Sequence, residues 1–244
     1  KGIHRAYLDA GADIIETNSF GGNSIKLTRY GLDTDASELN RLAAELSREA
    51  AGEDVLVMGS MGPTGKFLMT GELSRAEMYD SFSRQAMALE KGGADLLIVE
   101  TMSDPEEASV AVEACVQNTG LPVVCSMSFD AGAETDPRTM MGTSVRDFVL
   151  QFKNSGAAAL GSNCGKGTVE MLYIAKLLRQ EAGDFPLLIQ ANAGRPSLVN
   201  GESEFPDSPV TWEPYIRELI RLRINIIGGC CGTNPDFIRN IRSW

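Results

Sequence analysis

Three cysteines stand at positions where they could do chemistry together. Cys230 and Cys231 are adjacent and lie between glycines in "GGCCGT" at 228–233, and Cys164 ends "GSNC" at 161–164. Adjacent cysteines seldom form a disulfide with each other, because the small ring distorts the peptide between them. The chain has 5 cysteines in 244 residues, which is not typical of a secreted disulfide framework and favours metal binding or catalysis.

The composition restricts the possible partners. With 33 acidic and 22 basic residues, the formal net charge is −11. This charge repels phosphate backbones and anionic lipid, so we expect neither nucleic acid nor a membrane surface as a partner. No apolar run reaches the roughly 18 residues of a membrane span, and the opening residues do not read as a signal peptide. A cytoplasmic location is therefore expected.

Seven short apolar runs recur along the chain, and each is too short for a helix. Polar and apolar residues do not alternate in them, which is typical of strands that are buried on both faces of a parallel sheet. They lie at 12–20, 54–62, 94–102, 122–129, 158–165, 186–194 and 224–232.

Helical segments separate the runs. Ser74 with Glu77, and Ser103 with Glu106, are typical of capping boxes, and Pro235 marks the start of the last helix. The segments "AGAD" and "GGAD", at 10–13 and 92–95, predict equivalent corners of one repeating architecture.

Alternating strands and helices over this length favour an α/β fold of the TIM (β/α)8 barrel type. The chain begins inside a helix, "KGIHRAYLDAG", so we expect the first barrel strand to be missing from it. Since no linker interrupts the series, residues 1–244 are predicted to form a single barrel domain that is incomplete at its N-terminus.

The chemistry of such barrels sits at the carboxyl ends of the strands. Cys164 ends the fifth apolar run, and Cys230 and Cys231 end the seventh, so their thiols are expected to converge on one mouth. Three cysteines with an open fourth position are typical of a catalytic zinc site. So electron-rich a site is a weak Lewis acid, but it suits a substrate thiol that must lose its proton and stay nucleophilic.

The motifs "GADIIETNSFG", "GPTG", "LIVETMSDPEEA", "GSNCGKG", "QANAGRP" and "GGCCGT" together resemble the homocysteine S-methyltransferase family. The resemblance covers essentially the whole chain. "QANAG" and "GGCCGT" are more similar to the homocysteine-binding module of cobalamin-dependent methionine synthase than to the S-methylmethionine branch. The likeness implies a zinc-dependent TIM barrel in which Cys164, Cys230 and Cys231 hold the metal and homocysteine accepts the methyl group.

Four more residues are candidates for substrate binding. The resemblance implies that Glu100 binds the homocysteine ammonium, although a carboxylate at a strand end can also cap a helix or pair with an arginine. Asn192 is either an ordinary loop amide or an oxygen ligand that fills the fourth metal position until substrate displaces it. Thr17 and Asn18 either line the pocket or satisfy loop backbone. The only histidine, His4, is expected at the surface.

The predicted function is methyl transfer to the thiol of homocysteine, with a zinc-bound thiolate as the nucleophile and methionine as the product. The methyl donor is not encoded in these residues, so methylcobalamin would have to come from another domain or a corrinoid protein. Two alternatives stay open. One is a corrinoid-linked methyltransferase for a different thiol, and the other is a non-catalytic zinc-binding subunit.

Overall fold

The computed structural model describes residues 1–244 and contains eleven strands. They are β1 (Ile14–Glu16), β2 (Leu56–Met61), β3 (Leu96–Met102), β4 (Val123–Met127), β5 (Ala131–Ala133), β6 (Asp136–Arg138), β7 (Ala159–Asn163), β8 (Leu187–Ala191), β9 (Ser197–Val199), β10 (Glu202–Glu204) and β11 (Ile226–Gly229). Seven of them form one sheet in the order β1-β2-β3-β4-β7-β8-β11, and every pairing in that sheet is parallel. These seven strands are the seven predicted apolar runs.

Helices connect the strands of this sheet. They are α1 (Gly2–Asp9), α2 (Ser24–Leu27), α3 (Ala36–Ala51), α4 (Arg75–Lys91), α5 (Pro105–Asn118), α6 (Val145–Phe152), α7 (Thr168–Ala182), α8 (Glu213–Arg221) and α9 (Pro235–Arg242). None of the helices is long and apolar enough to cross a membrane. The alternation confirms the predicted α/β fold, a curled parallel sheet of the TIM-barrel type whose two edges are β1 and β11.

The predicted helix starts are right in two cases and wrong in one. Ser74 and Glu77 form a complete capping box at the start of α4, and Asn234 caps α9 directly before Pro235. At α5 the cap is Asp104 rather than Ser103, and its carboxylate accepts a hydrogen bond from the Glu106 N–H at 2.8 Å. An aspartate directly before Pro105 satisfies the free amide at this helix end, so Ser103 is not needed there.

The two predicted corners are built alike. Gly11 and Gly93 follow helices with φ of 91° and 95°, a left-handed conformation that favours glycine. At the second corner Asp95 accepts a hydrogen bond from the Val57 N–H at 2.7 Å and pairs with Arg48. The corner aspartate thus ties the start of one strand to the neighbouring strand.

Apolar side chains cover both faces of the sheet. The larger cluster packs between the strands and the surrounding helices. A smaller cluster lies on the opposite, inner face and takes residues from five strands, with Ile14 of β1 and Ile226 of β11 packed against it. Its members are Met58, Leu96, Ile98, Val124, Ala159 and Leu188.

A polar layer lies above this inner apolar cluster. Successive side chains of a strand alternate between faces, so inward positions recur every second residue towards the carboxyl ends. The inward residues nearest those ends are Glu16, Ser60, Glu100, Ser126, Asn163 and Gln190. The fold therefore places a ring of polar side chains directly below the mouth that carries the cysteines.

Candidate metal and thiol-binding site

The three candidate cysteines meet at the mouth of the barrel. Cys164 directly follows β7, and Cys230 and Cys231 directly follow β11. Their sulfur atoms all lie within 4.8 Å of one another, and the Cys164 and Cys231 sulfurs are 3.9 Å apart. Cys164 and Cys230 are partly buried, and Cys231 is exposed. The predicted convergence of thiols from two strands is therefore present.

Strand β8 brings the two cysteine segments together, because it pairs with β7 on one side and with β11 on the other. The Cys164 N–H donates to the Gln190 carbonyl at 3.1 Å, and the Cys230 N–H donates to the Ala191 carbonyl at 2.7 Å. The backbone of both cysteines thus continues the hydrogen-bonding pattern of the sheet by one residue. Cys164 leaves it with a φ of 61°, an uncommon conformation for a residue other than glycine.

The glycines beside the double cysteine have a local packing reason. A Cβ on Gly229 would lie 2.4 Å from Thr233 Oγ1, whose hydroxyl donates to the Cys230 carbonyl at 2.8 Å. Gly232 has a φ of 78°, and a Cβ there would lie 2.3 Å from the Phe205 ring. These glycines allow Thr233 and Phe205 to pack against the cysteine loop.

The donor set fits a zinc ion. Zn–S bonds of about 2.3 Å in a tetrahedral arrangement separate sulfur atoms by about 3.8 Å. The Cys164–Cys231 separation of 3.9 Å matches this spacing. Hydrogen bonds from Cys230 and then Cys231 lower the pKa of the Cys164 thiol, whereas the same contact raises the pKa of Cys230. The protonation states of the three thiols are therefore linked to one another.

The two other cysteines are core residues. Cys115 in α5 and Cys125 in β4 are fully buried, and burial raises the pKa of both thiols. Neither belongs to the sulfur cluster.

Glu100 is a buried carboxyl that neither caps a helix nor pairs with an arginine. It is 7% exposed, accepts a hydrogen bond from the Ser60 hydroxyl, and accepts another from Asn163 Nδ2 at 3.1 Å. Burial, and then the charge of Glu16, raise the pKa of Glu100 to about 8. A carboxylate in this environment lacks a cation to balance its charge.

Glu16 is a second inward carboxyl, and it was absent from the predicted site. Its Oε1 accepts a hydrogen bond from Gln190 Nε2 at 2.7 Å, which links β1 to β8 across the interior. Burial raises the pKa of Glu16. It faces inwards because it lies two residues after Ile14, which packs against the inner cluster, and the sequence alone does not reveal which face Ile14 takes.

Thr17 and Asn18 have different environments. Thr17 is buried, and its hydroxyl accepts a hydrogen bond from the Ser60 N–H at 3.0 Å, so it satisfies strand-end backbone. Asn18 is exposed beside it.

Asn192 connects the two cysteine loops. Its Oδ1 accepts a hydrogen bond from the Cys231 N–H at 3.1 Å, and its Nδ2 donates to the Gly165 carbonyl at 2.9 Å. The side chain is almost fully buried. Its amide oxygen is thus held on the backbone of a cysteine.

His4 is not the surface residue that was expected. It is partly buried in α1, and its Nε2 lies 3.2 Å from the Glu16 carbonyl oxygen. It contacts the backbone of β1 and none of the candidate sulfurs or carboxylates.

Comparison with known proteins identifies the family. The family model described as homocysteine S-methyltransferase matches residues 1–244. The chain belongs to the homocysteine S-methyltransferase family. It is thus a member of a family of methyltransferase enzymes.

Relatives of this homocysteine S-methyltransferase chain include much longer proteins. Methionine synthase of Mycobacterium leprae is 30% identical over 251 residues, which cover 98% of this chain and 20% of that protein. Methionine synthase of Mycobacterium tuberculosis is also 30% identical and is covered to 21%. The chain therefore spans about a fifth of the length of these relatives.

The family fold is also found among solved structures. The metallated form of the homocysteine methyltransferase MmuM from Escherichia coli matches with a TM-score of 0.80 at 24% identity, over 99% of this chain and 83% of that one. Its oxidized form matches with a TM-score of 0.79 at 25% identity, over 99% and 82%. These matches support the TIM-barrel-like fold.

We predict that Glu16→Gln changes the pH dependence of stability. A carboxyl whose pKa is raised by folding binds its proton more tightly in the folded state, so the free energy of unfolding falls as pH rises above the unfolded pKa. Glutamine keeps an acceptor for Gln190 and removes this loss. As pH rises above the unfolded pKa of this carboxyl, the variant should gain stability relative to wild type, by about 1.4 kcal/mol for each unit by which folding raises the pKa of Glu16.

Denaturant unfolding of the reduced, metal-free proteins measures this difference. Glu204→Gln in the exposed hairpin β9–β10 is the matched control for the loss of one carboxyl. A pH-independent difference for Glu16→Gln would contradict the assignment of Glu16 as a desolvated, destabilising carboxyl.

Proposed function

We propose that this chain binds Zn²⁺ through Cys164, Cys230 and Cys231 and activates the thiol of homocysteine for methyl transfer, which yields methionine. The observation that carries the proposal is the cluster of three sulfurs within 4.8 Å at the ends of two strands. Zinc, when bound, lowers the pKa of a coordinated thiol and leaves its sulfur nucleophilic.

The cysteines themselves provide the anionic ligand set. Each must lose its proton to bind a metal. Asn192 keeps the two loops together through the Cys231 N–H and the Gly165 carbonyl. The pre-formed cluster therefore needs little rearrangement to accept an ion.

Glu100 supplies the contact that selects an amino-acid thiol. Its carboxyl lies in the polar layer below the cysteines and accepts hydrogen bonds only from neutral groups, on Ser60 and Asn163. With a pKa of about 8 the free Glu100 carboxyl holds a proton at neutral pH, but a bound ammonium favours the ionised form, which offers about four acceptor sites. The sites that remain can receive the ammonium of homocysteine while its sulfur lies at the cysteine cluster.

The other two candidates have smaller roles in this proposal. Thr17 fixes the ends of β1 and β2 through the Ser60 N–H, and so supports the residues around Glu100. Asn18 is exposed at the mouth, where it can contact bound substrate.

The methyl donor and its carrier belong to the proposal as well. We infer a corrinoid, such as methylcobalamin, on another module or protein, because "QANAG" and "GGCCGT" resemble cobalamin-dependent methionine synthase. The relatives named methionine synthase are about five times as long as this chain, which leaves room for such a module in them. We treat residues 1–244 as one homocysteine-binding unit, which the single seven-stranded sheet supports.

We predict that the purified chain binds about one Zn²⁺ ion. Each of Cys164→Ala, Cys230→Ala and Cys231→Ala should weaken zinc binding by at least a hundredfold, because each thiolate ligand contributes strongly to zinc affinity. Competition with a chromophoric chelator measures the affinity. Cys125→Ala is the control and should bind zinc as wild type does. Full affinity in any of the three site variants would contradict the ligand set.

We predict that Glu100→Gln weakens homocysteine binding by about tenfold to a hundredfold, because a charge-assisted contact is worth roughly 1.5–3 kcal/mol. Binding of 3-mercaptopropionate, which lacks the amino group, should change little. Titration calorimetry of both thiols into zinc-loaded wild type and variant gives the ratio.

Zinc content should be the same in both proteins, since Glu100 is not proposed as a ligand. Equal losses for both thiols would mean that Glu100 supports the metal or the fold. A wild-type protein that prefers simple thiols would instead favour a methyltransferase for a different thiol.

A further inference from the structure

Asn163 uses every hydrogen-bonding position of its side chain. Its Oδ1 accepts from the Thr101 N–H at 2.9 Å and from the Ser126 hydroxyl at 2.7 Å. Its Nδ2 donates to Glu100 Oε2 at 3.1 Å and to Thr101 Oγ1 at 2.7 Å. The same nitrogen lies 4.0 Å from the Cys230 sulfur. One fully buried amide therefore lies between the carboxyl and the sulfur cluster.

The partners of Asn163 fix the orientation of its amide. An amide nitrogen cannot accept a hydrogen bond from the Thr101 N–H, so the reversed amide would lose that bond. Aspartate has the same shape but has no N–H, and serine is too short to reach all these partners.

Asn163 also stabilises a strained backbone. Thr101, directly after Glu100, has a φ of 58°, which is a genuine outlier for a β-branched residue. Its N–H and its hydroxyl both bond to Asn163. The strand pairing of β3 with β4 shifts register between Val99 and Met102. Strained residues of this kind persist only where surrounding contacts hold them, and they cluster at functional sites.

We propose that Asn163 is a positioning residue that holds Glu100 in the orientation needed to bind the substrate ammonium. It acts in two ways, directly through the bond to Glu100 Oε2 and indirectly through the Thr101 backbone that follows the carboxylate. The inference rests on the proposed function, in which Glu100 selects homocysteine over thiols without an amino group. The proposal assigns Asn163 no contact with the reacting sulfur.

A double-mutant cycle tests this role. The readout is discrimination, the ratio of the dissociation constants of 3-mercaptopropionate and homocysteine for the zinc-loaded protein. Asn163→Ala should lower discrimination by about tenfold, since a hydrogen bond to a charged group is lost. In the Glu100→Gln background the same substitution should change discrimination by less than about twofold, because residues that act through one contact are not additive.

Ser162→Ala is the matched control. Ser162 is the preceding residue of β7, is equally buried, and its hydroxyl has no hydrogen-bond partner. This substitution should leave discrimination and zinc affinity unchanged. Should Asn163→Ala fail to fold, the substitution is made in a Thr101→Gly protein, because glycine adopts a positive φ without strain and so removes the need to hold Thr101. Discrimination in the double variant should be about tenfold lower than in Thr101→Gly alone.

Two results would overturn the inference and leave the proposed function standing. One is an equal loss of affinity for both thiols in Asn163→Ala. The other is a loss of discrimination that adds fully to that of Glu100→Gln. A wild-type protein without any preference for homocysteine would overturn both the inference and the proposed function.

Discussion

The register of β8 between β7 and β11 is the constraint on which the site depends. Asn163 pairs with Gln190, and Gly229 pairs with Ala191, so the two cysteine segments leave the sheet at the same level. A slip of β8 by one residue would turn every side chain of that strand to the opposite face of the sheet. Cys164 and Cys231, which are 67 positions apart in sequence, meet because both of their strands pair with β8.

The polar layer below the cysteines lowers the stability of the protein when no substrate is bound. Glu100 is buried and Glu16 is partly buried, and a carboxylate that is withdrawn from water without a cation costs free energy. Their hydrogen bonds come from Ser60, Asn163 and Gln190, which are neutral. A substrate that carries a positive charge would complete this layer, which agrees with the proposed binding of an amino-acid thiol.

The sequence was sufficient to predict the seven strands of the main sheet and the convergence of the three thiols at its edge. Runs such as the one that became β3 are apolar on both faces over most of their length, and cysteines at strand ends must share the mouth of a parallel barrel. The family resemblance then added Glu100, whose partners no sequence pattern indicated.

The inward polar residues other than Glu100 were missed for a physical reason. A strand that is buried on both faces shows no alternation, so the sequence does not reveal which strand-end polar residues, such as Glu16 and Asn163, point inwards. Only the curvature of the sheet decides that these side chains point inwards. The hairpins β5–β6 and β9–β10 were also missed, since strands of three residues leave too short a pattern.

The central claim is that three strand-end cysteines hold one ion and leave it accessible to a thiol. Zinc K-edge X-ray absorption of the metal-loaded chain, recorded before and after addition of homocysteine, tests it most directly. The account predicts three sulfur neighbours at about 2.3 Å that become four when homocysteine binds. Fewer than three sulfurs in the loaded protein, or a sulfur count that homocysteine leaves unchanged, would contradict it.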